Sequence, residues 1–452
     1  MTLAEKILAR HCGRERVRAG DMVVARLDMV LGTDVTVPLS VEVFREMGAQ
    51  KVFDQDKIAL VNDHFVPAKD VKAATLSKIM RGFAREQGIT HYFEVGRSGI
   101  CHALLPDSGL VRPGELVVGA DSHTCTYGAL GAFSTGIGST DMACAWALGE
   151  LWFRVPETTR IVVEGRFQPL VGAKDLVLHI IGRLGVDGAL YQALEFTGGT
   201  IRRMPMDGRF TVCNMAIEAG AKTGLIAPDE VTWGYVDKVG RGNPPFSSPP
   251  ASRGGKKGES PLSPLPRLSP GQALLRRGGD LSSDADAEYC RTIEIDVSGL
   301  EPQVAEPYRP SNSRPVGEVA GVPVDQVLIG SCTNGRLDDF RAAAAVLGER
   351  PVHPDVRLII IPATPGIMRA MLEERLVEQF VRAGAVLSPP TCGPCIGGHM
   401  GVLAEGEVGL FTTNRNFRGR NGHPDSKVYL SGPEVAAATA VMGRITDPRE
   451  LD

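Results

Sequence analysis

The chain has 452 residues, a formal net charge of −4 and a hydrophobic fraction of 43%. This length exceeds a single hydrophobic core and predicts two to four domains, and the acidic balance argues against bulk affinity for nucleic acid. No stretch reaches the ~18 apolar residues of a membrane span. Nine scattered cysteines do not indicate a disulfide framework, so we expect a reducing cytoplasm.

Strand and helix patterns alternate along the chain. The first ten residues carry charges where a signal peptide needs an apolar core, and they predict an amphipathic helix. Short apolar, mostly β-branched runs predict strands at 116–119, 160–163, 327–330 and 357–361. Amphipathic stretches predict helices at 141–152, 338–347 and 366–383. This alternation favours α/β domains with parallel-rich sheets, in which ligands bind beyond the carboxyl ends of the strands.

The composition divides the chain into four parts. We expect a first α/β domain over 1–165, a second over 166–240 and a third, with the cysteine motifs, over 284–452. Residues 241–280 contain eight Pro, seven Gly and six Ser. Such a composition does not bury enough apolar surface to fold alone, so we interpret 241–283 as a disordered linker or insertion.

Three cysteines form the most informative group. Cys332 follows a predicted strand, and Cys392 and Cys395 are separated by a Gly-Pro pair. Three thiolates with no fourth cysteine nearby are able to hold a cubane iron–sulfur cluster by three corners, which leaves one iron open to substrate. The set therefore favours Lewis-acid chemistry of the hydro-lyase kind over electron transfer.

The same cysteines allow other interpretations. Residues 392–395 have the spacing of a thioredoxin-like redox site, but prolines at 389–390 and glycines at 397–398 prevent the long helix that follows such a motif. Adding His399 gives the four ligands of a zinc site, which explains none of the other motifs. Cys332 alone is also compatible with a small buried residue after a strand.

A second constellation, residues 414–420, follows a predicted strand at 409–413. It contains Asn414, Arg415 and Arg420. The planar guanidinium suits bidentate recognition of a carboxylate, so two arginines near an open iron would hold a di- or tricarboxylic acid. The alternative is a solvated basic loop, which the position after a buried strand weakens.

Histidine and carboxylate residues gather in short loops. They are Asp63, His64, His102, Asp121, His123 and Glu218. A single histidine is more often structural than catalytic. Several loops that pair histidine with polar residues predict fixed imidazole tautomers and charged donors around an anionic ligand. Spacing alone does not show which histidine contacts which carboxylate.

Together these motifs resemble the aconitase family. The matching segments are 121–124, 330–335, 391–395 and 414–420, in that order, and the resemblance covers nearly the whole chain except 241–280. Details at 397–401 and 422–426 are similar to the short large subunits of the isopropylmalate dehydratase and homoaconitase branches. The resemblance implies an aconitase-like fold, with three α/β domains around a central iron–sulfur cluster and without the swivel domain.

The resemblance also implies roles for individual residues. The ligands of a [4Fe–4S] cluster would be Cys332, Cys392 and Cys395. The catalytic histidine–carboxylate residues would be Asp63, His64, His102, Asp121, His123 and Glu218. The substrate-binding residues would be Ser122, Asn214, Asn414, Arg415 and Arg420.

The chain departs from single-chain aconitases at its end. Those enzymes carry a swivelling domain with a catalytic serine and a further arginine, whereas this sequence stops at Asp452. The resemblance therefore implies a separate small subunit that completes the site, and a di- or tricarboxylate substrate. It implies conversion of 2-isopropylmalate to 3-isopropylmalate in leucine biosynthesis, with homoaconitase chemistry in lysine biosynthesis as the alternative.

Two further interpretations belong to other functional classes. Some aconitase relatives bind RNA when the cluster is lost, but this chain is acidic and its dense basic patches lie within 241–280. A catalytically inactive interaction subunit is disfavoured because all three cysteines and both pocket arginines are present.

Overall fold

The computed structural model describes residues 1–241 and 281–451, so nearly all of the expected linker at 241–283 lies outside the described residues. Residues 1–154 contain helices α1 (Leu3–Cys12), α2 (Val37–Glu46), α3 (Val71–Gln87), α4 (Cys101–Asp107) and α5 (Ser139–Leu148). Their strands are β1 (Met22–Arg26), β2 (Met29–Thr33), β3 (Ile58–Val61), β4 (His91–Phe93), β5 (Leu116–Gly119), β6 (Phe133–Gly136) and β7 (Glu150–Arg154). Strands β4-β3-β2-β5-β6 form a parallel sheet, and β1 pairs with β7 as an antiparallel ribbon.

The second sheet is also parallel, in the order β10-β9-β8-β11. Its strands are β8 (Thr158–Glu164), β9 (Ala193–Thr197), β10 (Thr223–Leu225) and β11 (Arg291–Asp296). The helices of this part are α6 (Ala173–Leu184), α7 (Gly199–Arg203), α8 (Met206–Asn214) and α9 (Glu230–Arg241).

The third sheet has seven strands in the order β13-β12-β18-β17-β14-β15-β16, parallel from β18 to β16. They are β12 (Gln303–Ala305), β13 (Ser313–Pro315), β14 (Gln326–Gly330), β15 (Arg357–Ile361), β16 (Val386–Leu387), β17 (Val408–Phe411) and β18 (Lys427–Ser431). The helices are α10 (Ser331–Asn334), α11 (Leu337–Leu347), α12 (Pro365–Glu373), α13 (Leu376–Ala383) and α14 (Pro433–Met442).

Short 3-10 helices occupy several of the connections between these elements. They are Gln55–Lys57, Ser122–Leu130, Met215–Ala219, Val316–Glu318, Gly393–Ile396 and Pro448–Glu450.

Local chemistry explains the expected elements. The amphipathic N-terminus forms α1, which begins with a capping box between Thr2 and Glu5 and ends where Gly13 adopts a φ of 69°. Strands β2, β3, β5 and β14 are buried along their whole length, as parallel strands covered on both faces are. The strands predicted at 116–119 and 357–361 match β5 and β15.

Two predicted helices are wrong in part. The helix expected at 141–152 ends at Leu148, because Gly149 takes a left-handed φ of 73° and β7 then pairs with β1. The helix expected at 366–383 is two helices, α12 and α13. They are separated where Arg375, which is not a glycine, takes a φ of 60°.

The sheets do not follow the expected domain bounds at two places. β11, which comes after the undescribed stretch, pairs with β8 in the register Arg291↔Thr159 and so completes the second sheet. β8 itself begins before residue 166, within the expected first domain. β11 and β8 lie more than 130 positions apart, so the local sequence around β11 does not indicate which sheet it joins.

One buried apolar cluster joins the three large sheets. It contains Leu31 and Val117 from the first sheet, Phe196 from the second, and Leu328 and Phe411 from the third. Because the sheets share this core, the loops at their carboxyl ends have fixed relative positions. Among residues 1–241 and 281–451, no helix has both the length and the apolar character that crossing a bilayer requires.

Candidate active site

The predicted site residues lie where the carboxyl ends of two parallel sheets meet. Asp121 follows β5, Asp63 and His64 follow β3, and Cys332 lies in α10 directly after β14. The Cys392 backbone N–H donates to the Asp63 carbonyl oxygen at 2.9 Å and so joins loops of the two sheets. This edge is where open α/β sheets bind ligands.

Two asparagine amides converge on the sulfur of Cys332. Asn214 Nδ2 and Asn414 Nδ2 each lie 3.3 Å from Cys332 Sγ. Thr333 Oγ1 donates to Asn214 Oδ1 at 2.8 Å, which fixes that amide with its N–H groups towards the sulfur. Such donors suit a thiolate that ligates a metal, since hydrogen bonds to the sulfur orient the ligand and tune the centre.

The three cysteine thiols differ in burial and in pKa. Cys332 and Cys395 are 4% and 3% exposed, Cys392 is half-buried, and none of them forms a disulfide. A hydrogen bond from the Cys392 thiol, with the positive charge of Arg420 nearby, holds the pKa of Cys395 below its usual value despite burial. The same bond raises the pKa of Cys392. The pair therefore favours one thiolate over two free thiols.

This set of residues fits an iron–sulfur cluster better than a zinc ion. The donors are three cysteines outside disulfides, two of them buried and one half-buried, and two amide N–H groups lie on the sulfur of Cys332, which suits a cubane held by three corners. His399, the fourth ligand of the zinc interpretation, directs Nε2 at the His64 carbonyl oxygen instead, at 3.0 Å. Over the described ranges, no three His, Cys, Asp or Glu side chains are grouped for a single metal ion.

Asp121 lies among three histidines. Its Oδ1 atom is 2.9 Å from His102 Nε2 and accepts the His123 backbone N–H at 2.8 Å, while Oδ2 is 3.6 Å from His64 Nε2. Burial opposes the charge, but these three histidines hold the pKa of Asp121 well below its usual range. The ionised carboxylate therefore orients the imidazoles around it.

His123 has a second carboxylate partner in Glu218. His123 Nε2 is 2.8 Å from Glu218 Oε1, and Arg415 Nε donates to both Glu218 oxygens, at 2.9 and 3.0 Å. Burial opposes the charge of Glu218, yet His123 and Arg415 hold its pKa below the ordinary value. Arg415 makes these bonds through Nε, and its two Nη groups form no hydrogen bond with residues 1–241 or 281–451, so they suit a carboxylate ligand.

A buried aspartate outside the predicted set holds the turn after β3. Asp34 accepts the backbone N–H groups of Asp63, His64 and Phe65 at 3.1, 2.9 and 3.0 Å. Burial opposes the charge of His64, but Asp63, Asp121 and Asp34 raise its pKa well above the ordinary value. Asp34 directly follows β2, so the rule that polar residues after parallel strands meet at the site would have found it.

Three buried polar atoms of the predicted catalytic residues have no hydrogen-bond partner in the described part of the chain. They are Asp63 Oδ1, His64 Nδ1 and His102 Nδ1, of which His64 Nδ1 lies 3.4 Å from Asp34 Oδ1. Buried polar atoms are normally bonded, so Asp63 Oδ1 and His102 Nδ1 suit contact with a polar ligand. Burial raises the pKa of Asp63, and the nearby His64 opposes this shift.

The remaining predicted substrate-binding residues differ in position. Arg420 Nε donates to the Cys395 carbonyl oxygen at 3.1 Å, so this side chain lies beside the cysteine turn. Ser122 is the exception, because it lines a cavity of about 430 Å³ with Thr135 and Trp152. Ser122 is close to the site because it directly follows Asp121 in the chain.

Lys174 is a second residue that the motifs do not indicate. It lies in α6, and its ammonium donates to the carbonyl oxygens of Thr412 and Thr413, which precede Asn414. No motif or predicted element of the sequence marks this position, and a lysine is normally exposed to solvent.

The chain is similar to known proteins over most of its length. A profile of the aconitase family (aconitate hydratase) matches residues 5–443. The 3-isopropylmalate dehydratase large subunits of Syntrophus aciditrophicus and Moorella thermoacetica are 55% and 54% identical to this chain over 451 residues. The 3-isopropylmalate dehydratase large subunit 1 of Pyrococcus furiosus is 53% identical over 453 residues. Each alignment covers 100% of this chain and 99% of the relative, so the lengths are similar.

A solved structure, aconitase X of Thermococcus kodakaraensis, is a weaker match. Its TM-score is 0.48 and its identity 11%, over 87% of this chain and 84% of that one. The family assignment therefore depends on the sequence matches, which extend over almost every described element. By those matches, the chain belongs to the aconitase family.

Proposed function

We propose that this chain is the large, cluster-bearing subunit of a 3-isopropylmalate dehydratase. This hydro-lyase converts 2-isopropylmalate to 3-isopropylmalate by dehydration and rehydration, in leucine biosynthesis. The relatives of that name match the chain over its full length. The observation that carries the proposal is the pair of asparagine amides on the Cys332 sulfur, next to the histidines around Asp121.

The chain's own residues bind and orient the substrate. A [4Fe–4S] cluster on Cys332, Cys392 and Cys395 supplies, when bound, a Lewis acid that polarises the substrate C–O bond and activates water. Arg415 offers its Nη groups to a substrate carboxylate while Glu218 holds the guanidinium in place. The orientation of the substrate is then fixed from one side by this arginine.

The histidine–carboxylate pairs hold and move protons. His102, bonded to Asp121, and His123, bonded to Glu218, keep fixed ring orientations. A proton held by such a pair is placed to leave with the substrate hydroxyl, and the pair takes it back when water returns. The base that removes the carbon-bound proton is supplied by the small subunit.

The partner of this chain is the small, swivel-domain subunit of the dehydratase. The relatives are named large subunits, which supports a two-subunit enzyme. We place the assembly in the cytoplasm, where a reducing environment keeps the cysteines available. Its ligand is a small dicarboxylate, which the Arg415 guanidinium is placed to bind. The net charge of −4 argues against nucleic acid as a ligand.

The proposal is tested by anaerobic purification of the chain with and without the small subunit. Turnover is followed from the ultraviolet absorbance of the unsaturated diacid, with 2-isopropylmalate, homocitrate and citrate as substrates. We expect turnover of 2-isopropylmalate when both subunits are present, and none with either alone. Turnover of homocitrate alone would reassign the chain to lysine biosynthesis, and no turnover of any of the three would refute the proposal.

Arg415→Lys is expected to lower kcat/KM for 2-isopropylmalate by about 10- to 150-fold. Lysine keeps the charge but loses the planar fork, so one charge-assisted hydrogen bond of about 1.5–3 kcal/mol is lost. Because this bond is to the bound substrate, most of the change should be a rise in KM.

The matched control is Arg418→Lys in the same loop. Arg418 is 64% exposed and pairs with Asp425 at the surface, so its replacement should leave kcat/KM unchanged. Equal kinetics for the two lysine variants would contradict the role given to Arg415.

A further inference from the structure

Lys174 is a buried lysine with no role in the chemistry described above, and its burial lowers the pKa of the side-chain amine to about 7. It lies in the first turn of α6, and 2% of its surface is exposed. Burial away from water and the positive end of a helix dipole both disfavour an ammonium group there. The position is stable only if the surrounding groups offset these two costs.

Three uncharged oxygens lie within hydrogen-bond distance of the Lys174 side-chain nitrogen. Lys174 Nζ donates to the carbonyl oxygens of Thr413 at 2.6 Å and Thr412 at 2.7 Å, and to Asn334 Oδ1 at 3.2 Å. In its protonated form the side chain has three N–H donors, one for each of these oxygens. The side chain therefore links segments 238 and 160 residues away along the sequence.

The segments that Lys174 joins each carry part of the site. Thr412 and Thr413 connect the end of β17 to Asn414, whose amide donates to the Cys332 sulfur. Asn334 lies in α10, the same short helix as Cys332. Its amide N–H group donates to Asp339 Oδ1 at 2.9 Å, which turns Asn334 Oδ1 towards the lysine.

The pairing of β14 with β17 does not by itself fix the positions of α10 and of residues 412–414. Thr412 Oγ1 accepts the Gly330 N–H at 2.9 Å, which joins the two strand ends. Beyond that point the chain leaves the sheet, and the carbonyl groups of Thr412 and Thr413 are fixed by Lys174 from α6 of the second sheet. Helix α6 thus contacts both α10 and the residues that follow β17.

We propose that Lys174 is a positioning residue that holds the Cys332 helix and the Asn414–Arg415 turn in one arrangement. Through Thr413 it fixes the start of the turn that carries Arg415, and through Asn334 it fixes the helix that carries Cys332. The lysine thus couples retention of the cluster to the placement of the carboxylate-binding arginine. This inference rests on the proposed function, because its measurements require the bound cluster.

The test compares Lys174→Met with the wild type in the anaerobic two-subunit enzyme. Methionine has a similar length but no donors, so three buried acceptors lose their partner. We expect the rate at which a chelator removes iron to rise about 10- to 100-fold, the range for loss of an outer contact of a metal site. The KM for 2-isopropylmalate should rise as well, because the Arg415 turn is displaced.

Lys57→Met is the matched control. Lys57 also donates to a backbone carbonyl, that of Leu27 at 3.4 Å, but it is 42% exposed and outside the site. Iron release and KM should equal those of the wild type. If Lys174→Met also releases iron at the wild-type rate with an unchanged KM, the positioning role is overturned while the proposed function stands. A wild-type enzyme without cluster or turnover refutes the proposed function instead.

A second variant keeps the inference testable if Lys174→Met does not fold. Asn334→Ala removes the weakest of the three contacts and leaves the lysine in place. We expect iron release that is faster than in the wild type but slower than that expected for the methionine variant. Iron release from Asn334→Ala at the wild-type rate would overturn the inference.

Discussion

Cys332→Ser is expected to abolish turnover of 2-isopropylmalate and to remove most of the iron bound by the chain. The sulfur of Cys332 receives two amide donors, from Asn214 and Asn414, so the site is built around a thiolate at this position. A serine hydroxyl is a harder and more weakly acidic ligand. The loss should exceed the ~100-fold that removal of an outer contact of a metal site costs.

Iron content per chain and turnover are measured on the same anaerobic preparations. Cys290→Ser is the control, because Cys290 is exposed and makes weak contacts with Thr158 and Thr159. It should keep the iron content and the rate of the wild type. Cys332→Ser with a full complement of iron would show that the cluster is held elsewhere.

Asp121→Asn is expected to lower kcat by about 10²- to 10⁴-fold, the range for loss of positioned acid–base groups. The carboxylate lies among His102, His123 and His64, and its charge favours the protonated forms of His64 and His123. An amide keeps the shape but not the charge. Asp121 raises the pKa values of His64 and His123, so both values should fall in the variant. The part of the pH–rate profile that reports titration of these histidines should therefore move to lower pH.

Asp28→Asn supplies the comparison for this prediction. Asp28 also forms a histidine–carboxylate pair, with His11 Nε2 at 2.6 Å, but it lies outside the site. Its replacement should change kcat by less than about twofold, within the range of substitutions remote from a site. An Asp121→Asn enzyme with the wild-type kcat and pH profile would remove Asp121 from the catalytic machinery.

The sequence predicts those parts of the site that depend on strand ends. Cys332 and Asp121 follow parallel strands, so their meeting at one edge follows from the fold class. Asp34 obeys the same rule after β2, although no motif marks it. The family resemblance adds Asn214 and Glu218, which no strand-end argument would select.

The contacts between distant elements depend on packing that local patterns do not encode. The Asn214 amide reaches the Cys332 sulfur across 118 positions, and Arg415 reaches Glu218 across 197. Residues so far apart in the sequence meet because the three sheets share one core. The break between α12 and α13 is similar, since Arg375 takes a left-handed conformation with no glycine or proline to signal it.

The most direct test of a three-cysteine cluster with one open iron is Mössbauer spectroscopy of the anaerobic two-subunit enzyme, with and without 2-isopropylmalate. We expect about four irons per chain, one of which changes its spectrum when substrate is added, because three thiolates leave one iron uncovered. Four irons that all keep their spectra with substrate bound, or zinc in place of iron, would contradict the account.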